Sequence, residues 1–99
     1  MSAEACAWAV RQRLRRPEEK LVLLLLANEA DPGGLVSFGG SSETARRLAE
    51  DACMGVEAFQ EVVDDLRRRG VARNAFAWGD YLRLSLGREF VRESVSSPP

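Results

Sequence analysis

Seven consecutive apolar residues, LVLLLLA from Leu21 to Ala27, restrict the folds open to this chain more than any other feature. Pro17, Glu18 and Glu19 precede them, and Asp31, Pro32, Gly33 and Gly34 close the segment. Proline suits the first turn of a helix, where its missing N–H would have no partner, and early carboxylates favour the helix dipole. A helix from Pro17 to about Ala30 that is apolar nearly all round has to be central and buried. The run is far short of a membrane span, and Asn28 and Glu29 follow it at once. A chain of 99 residues has room for one modest core, and this helix is its centre.

The flanking patterns supply the other elements. Ser2 can cap a first helix running to about Leu14, with Ala5, Trp8, Ala9 and Gln12 on one stripe. Beyond the Asp31–Gly34 turn, Leu35 to Phe38 reads as a short strand ended by Gly39 and Gly40. Ser41, Ser42 and Thr44 compete to cap a third helix, ETARRLAEDA. The tripeptide CMG (Cys53 to Gly55) is a connection of the length that joins two crossed helices. A fourth helix spans Val56 to Arg69, and Gly70 stops it. VARNAFAW and DYLRLSL then alternate apolar and polar residues about Trp78, Gly79 and Asp80, a hairpin signal. A short turn or helix, REFVRES, would pack Phe90 and Val91 on the body, and SVSSPP has nothing to bury and is expected to be disordered.

Charge and composition exclude some functions. Net charge is −1, so the total names neither a nucleic acid nor an acidic partner, and its distribution says more. Arg11, Arg13, Arg15 and Arg16 make the N-terminal segment basic, Glu18 to Asp65 is mostly acidic, and the chain turns basic again from Arg67. Cys6 and Cys53 are read as small buried hydrophobes, because two thiols without a histidine cannot make a four-ligand zinc site and no disulfide is expected in a reducing cytoplasm. With no histidine, no Gly-rich phosphate loop and no paired acids in an obvious pocket, neither catalysis nor a cofactor is expected. No basic segment followed by an apolar one stands at the start, which points to a cytoplasmic protein.

The order helix, helix, strand, helix, turn, helix, hairpin resembles a winged helix-turn-helix. The residues resemble the small helix-turn-helix domains of phage and plasmid replication proteins and bacterial transcription regulators. KLVLLLLANEADPGG looks like that family's buried first helix and its exit, LAEDACMG like the second helix and turn, and FQEVVDDLRRRGVA like the recognition helix entering the wing. The likeness covers about Glu19 to Leu86. The resemblance implies an α+β fold, a winged helix-turn-helix with an additional N-terminal helix and a C-terminal β-hairpin wing. Its parts would be a basic arm at 1–16, a domain at 17–93 and a tail at 94–99. It also implies a fourth helix in the major groove and a wing on backbone or minor groove. Three positions depart from the family. Cys53 stands where the turn usually has Gly, Gly55 where the recognition helix usually has a Ser cap, and Val56, Glu57 and Ala58 where an Arg-Arg-Thr-like cluster usually meets DNA.

Helical geometry sharpens that last departure. At about 100° per residue, Val56, Phe59, Val62, Val63 and Leu66 share a core face. Glu57, Glu61, Asp64 and Arg68 run along the opposite line, with Gln60 and Asp65 beside them. Affinity for DNA comes largely from cations that neutralise phosphates, so carboxylates at the centre of an inserted face disfavour ordinary groove reading. Asp64 and Arg68 are spaced for i,i+4 coupling, and a solvated, dipole-matched helix surface accounts for the face as well as any function does.

Two functions stay open. The first is a DNA-binding regulator or replication/partition accessory that contacts double-stranded DNA through Thr44 and Arg47 on the third helix and through Arg67, Arg68, Arg73 and Arg83 near the wing. Gln60 is its candidate base contact, and Arg69 also lies at the wing root. The second is a protein-interaction module whose Glu57, Glu61 and Asp64 dock a basic partner. Trp8 on the added helix suggests pairing across a homodimer axis, the alternative being the domain's own core. Trp78, at the hairpin tip, would be a contact site if exposed, though folding back on the sheet is more usual.

Overall fold

The computed structural model describes residues 3–37, 43–74 and 81–87. Among the described residues the order is α1 (Ala3–Arg11), α2 (Pro17–Glu29), β1 (Leu35–Ser37), α3 (Glu43–Asp51), α4 (Val56–Arg68), β2 (Ala72–Asn74) and β3 (Tyr81–Leu84). This is a small α+β fold of four helices and one antiparallel three-stranded sheet. The expected caps Ser2, Ser41 and Ser42, the strand end at Phe38, the tip around Trp78, the packing of Phe90 and Val91, and the tail 94–99 lie outside the described residues.

α2 is the centre, packed against α1, α3, α4 and β1. Val22, Leu23, Leu26 and Ala27 are fully buried, whereas Leu21 keeps 40% of its surface and Leu24 and Leu25 are only partly covered. The helix therefore has a wet side that an all-apolar reading did not anticipate. Pro17 occupies its first turn, and no side chain caps it at Arg16. Instead the Glu19 carboxylate reaches back to accept from the Arg15 N–H at 3.0 Å. A glutamate at the third helical position usually reaches back to the N-cap N–H; here it reaches one residue further, to the N–H before the cap.

α1 ends at Arg11 rather than near Leu14, for a visible reason. Its last carbonyls are taken by side chains. Gln12 Nε2 donates to Trp8 O at 2.7 Å, and Lys20 Nζ donates to Ala9 O at 3.2 Å and Val10 O at 2.6 Å. The expected stripe of Ala5, Trp8, Ala9 and Gln12 is buried as one face. That face is spent against α2 within the same chain, so Trp8 is a core residue of its own domain.

α3 and α4 end in the same way with different residues. After α4, Gly70 at φ 80° donates to Arg67 O, and Val71 N–H reaches back to Leu66 O, each at 3.0 Å. After α3, Cys53 at φ 59° donates to Glu50 O at 3.0 Å, and Met54 N–H reaches Ala49 O at 2.9 Å. Both are left-handed helix ends that usually call for glycine. Cys53 fills such a position and is exposed, which corrects its reading as a buried hydrophobe, and Cys6 is half-buried.

On α4, Phe59, Val62, Val63 and Leu66 are buried as their spacing predicts. Fully burying side chains such as Phe59 and Leu66 contributes about 1.5–3 kcal/mol each. Val56, in the first turn and counted with that face in the sequence, keeps 38% of its surface.

β3 is the middle strand, in the order β1-β3-β2. Val36, Leu82, Leu84 and Ala72 turn inward and are buried. The alternate residues, Leu35, Arg73 and Arg83, share the outer face, since successive side chains of a strand point to opposite sides. Gly34, at φ 84°, brings β1 in by accepting the Leu84 N–H at 2.8 Å.

Candidate nucleic-acid interface and acidic helix face

The α3–α4 helices and the sheet carry every residue singled out for binding. Thr44 is half-buried in the first turn of α3. Arg47, one turn on, is exposed but engaged: its two terminal nitrogens donate to the two carboxylate oxygens of Glu29 on α2, at 3.2 Å and 3.0 Å. That two-pronged hydrogen bond, and the charge of Glu29 behind it, raise the Arg47 pKa above its ordinary value. The contact clamps α3 to the end of α2.

The basic end of α4 is committed in the same manner. Arg67 donates to Asp64 at 2.8 Å, and its Nε is buried without a hydrogen-bond partner. Arg68 pairs with Asp65. The i,i+4 coupling expected between Asp64 and Arg68 is replaced by two i,i+3 pairs. Asp65 also receives Arg16 from the α1–α2 linker at 2.9 Å, and Arg69 turns inward to Glu19 at 3.3 Å.

Of the cations assigned to phosphate, Arg73 and Arg83 are thus the two that no carboxylate holds among the described residues. They are register partners across β2 and β3, directly opposite one another on the outer face of the sheet. Arg73 is exposed, and Arg83 is half-buried with NH1 donating to Gly33 O at 3.3 Å. Like charges placed opposite each other across strands repel and cost stability.

The acids of α4 divide into two groups. Asp64 and Asp65 are neutralised locally by Arg67, Arg68 and Arg16. Glu57 and Glu61, in the first half of the helix, are exposed with no ion pair among the described residues, and Gln60 is exposed beside them. The free negative charge is therefore confined to the N-terminal two turns.

The sequence reading missed the ion network around Arg16. Its guanidinium meets Glu18 at 3.6 Å, Glu19 at 3.5 Å and Asp65 at 2.9 Å, joining the linker to both α2 and α4. The one local signal for it was a glutamate three residues beyond Arg16, the spacing at which a carboxylate turns back on a helix start. Among the described residues no group of His, Cys, Asp and Glu could hold a metal ion, and no helix is long and apolar enough to cross a membrane. Comparison with protein-family models, curated proteins and solved structures returns no match to this chain.

Proposed function

We propose that the chain is a winged helix-turn-helix domain that holds double-stranded DNA by its phosphates, through the outer face of the sheet, with α4 kept out of the groove. Support for the domain type comes from the run α2, β1, α3, α4, β2, β3 and from the strand order β1-β3-β2. The observation that carries the binding mode is the opposed pair Arg73 and Arg83. A phosphate between two guanidiniums would relieve their repulsion and accept hydrogen bonds from both. The paired Arg47, Arg67 and Arg68 are secondary, since each would have to leave a carboxylate first. On this reading the protein is a regulator or a replication/partition accessory that tracks DNA shape and charge more than base sequence.

Fluorescence anisotropy on a labelled random duplex tests it. Two phosphate contacts predict weak binding whose log K falls against log salt with a slope of about −1.8. Arg73→Gln with Arg83→Gln should abolish the binding, and Arg68→Gln should leave most of it. No binding at low salt and tens of micromolar protein removes the reading.

A second reading is favoured by the unpaired Glu57 and Glu61. In it, the first half of α4 docks a basic protein surface and DNA is not bound. Charge reversal at both positions should then abolish partner capture, whereas a helix that merely faces away from DNA would show higher nonspecific DNA affinity.

A further inference from the structure

The large apolar side chains left exposed among the described residues are Val10, Leu21 and Val56, with 62%, 40% and 38% of their surface open. They lie in two places of opposite charge. Val10 is in the last turn of α1 and Leu21 in the second turn of α2, and Lys20 Nζ bonded to Val10 O brings these two turns together. Arg11 and Arg13 are exposed beside them, and no carboxylate engages either among the described residues. Val56 opens α4, and the exposed, unpaired carboxylates there are Glu57 and Glu61. The first patch has Arg11 and Arg13 beside it, with Glu18, one turn before Leu21, held by Arg16; in the second, Val56 stands at the edge of the core face of α4 and Glu57 and Glu61 lie round the helix from it.

A single molecule does not bring them together. The linker after α1 meets α4 at Asp65, through Arg16. Asp65 is nine residues along α4 from Val56, which is about 14 Å at 1.5 Å per residue.

We infer that the basic Val10–Leu21 patch of one molecule docks on the acidic Val56–Glu61 patch of a second copy, head to tail. The inference rests on the second reading above, that the Glu57 and Glu61 face receives a cation-bearing protein surface, and it names that surface. Charge complementarity favours the second copy over a self-paired twofold contact. Two α4 faces brought together would oppose four carboxylates, and two α1 ends would oppose four arginines. The contact is of the heterologous kind, so each added molecule leaves one patch of each sign open and chains can grow. It is small and charge-rimmed, which predicts weak association that salt opposes. Arg73 and Arg83 are in neither patch.

Sedimentation equilibrium of the 99-residue chain tests this, from about 10 µM to about 1 mM, a range that covers weak association. The weight-average mass should rise with concentration at low salt and return toward the monomer at high salt. Glu57→Arg with Glu61→Arg, and separately Arg11→Glu with Arg13→Glu, should each stay monomeric. All four side chains are exposed, and circular dichroism with urea unfolding confirms that both variants are folded. An equimolar mixture of the two variants should associate again, because each then offers the sign the other lacks. A wild type that is monomeric throughout, or a mixture that fails to recover, overturns the head-to-tail contact. An arginine-rich peptide separates that failure from failure of the underlying reading. If it binds the wild type more tightly than Glu57→Gln with Glu61→Gln, the acidic face docks cations and only the second-copy assignment is wrong. If it binds both equally, both are wrong.

Discussion

The carboxylate of Glu19, almost fully buried at the start of α2, accepts a hydrogen bond at 3.3 Å from the guanidinium of Arg69, fifty residues away at the end of α4. The pair closes the domain, since Glu19 also accepts from the Arg15 N–H and meets Arg16. Removing one partner of a buried pair leaves the other charge poorly solvated, so Arg69→Met should destabilise by about 2 kcal/mol, tempered by Arg16 and the Arg15 N–H. Arg68→Met, which breaks an exposed pair, should cost well under about 1 kcal/mol. Urea unfolding of the two variants checks the contrast, and equal losses would mean that Glu19 does not need Arg69.

Cys53 should be replaceable to advantage. It holds φ 59° at the end of α3, a conformation costing about 1–2 kcal/mol for a residue with a Cβ. Glycine removes that cost and adds some unfolded-state entropy, so Cys53→Gly should stabilise by roughly 0.5–1 kcal/mol. A lower urea midpoint for the variant would count against the left-handed turn.

Gly34 should resist the opposite change. At φ 84° a Cβ would stand 3.2 Å from Leu84 O and 3.1 Å from the Leu86 side chain. Gly34→Ala therefore combines an unfavourable conformation with a tight approach to the Leu84 carbonyl at the β1–β3 junction, and a loss of about 2 kcal/mol is expected. Thermal unfolding measures it.

Trp8 supplies a test of where the N-terminal helix belongs. Because its ring is buried against the domain's own core, Trp8→Ala should cost about 3–5 kcal/mol. The loss should be independent of protein concentration. If destabilisation scales with concentration instead, the helix is held by a second chain.

Lys20, the chain's single lysine, has its pKa lowered from 10.5, first by burial of the ammonium and then by the charge of Arg13. Below 10.5 the folded protein thus binds fewer protons at this group than the unfolded chain does, so its contribution to stability rises with pH through that window. Comparing wild type with Lys20→Met isolates the effect. The variant loses the cap on Ala9 and Val10 carbonyls, about 1 kcal/mol, and its deficit should widen as pH climbs toward the amine's ordinary value.

What the sequence determined by itself is local. Pro17 and Gly70 mark helix ends because each restricts or frees one residue's own backbone. Phe59, Val62, Val63 and Leu66 announce a buried face because helical spacing needs only the chain itself. The two strands after α4 followed from alternation, β1 from the turn residues that bound it, and the exposed acids Glu57 and Glu61 from the same helical wheel. Tertiary structure alone decided which charges remain available. Arg47 finds Glu29, Arg16 finds Asp65 and Arg69 finds Glu19 only once distant helices pack, and those meetings removed cations that looked free for phosphate. The same packing set Arg73 opposite Arg83 through a strand register, sent Trp8 into its own core, and left Val56 partly exposed. Backbone preferences act over a few residues and are written in order along the chain. Ion pairing and burial depend on separations in space, which exist only after the chain has folded.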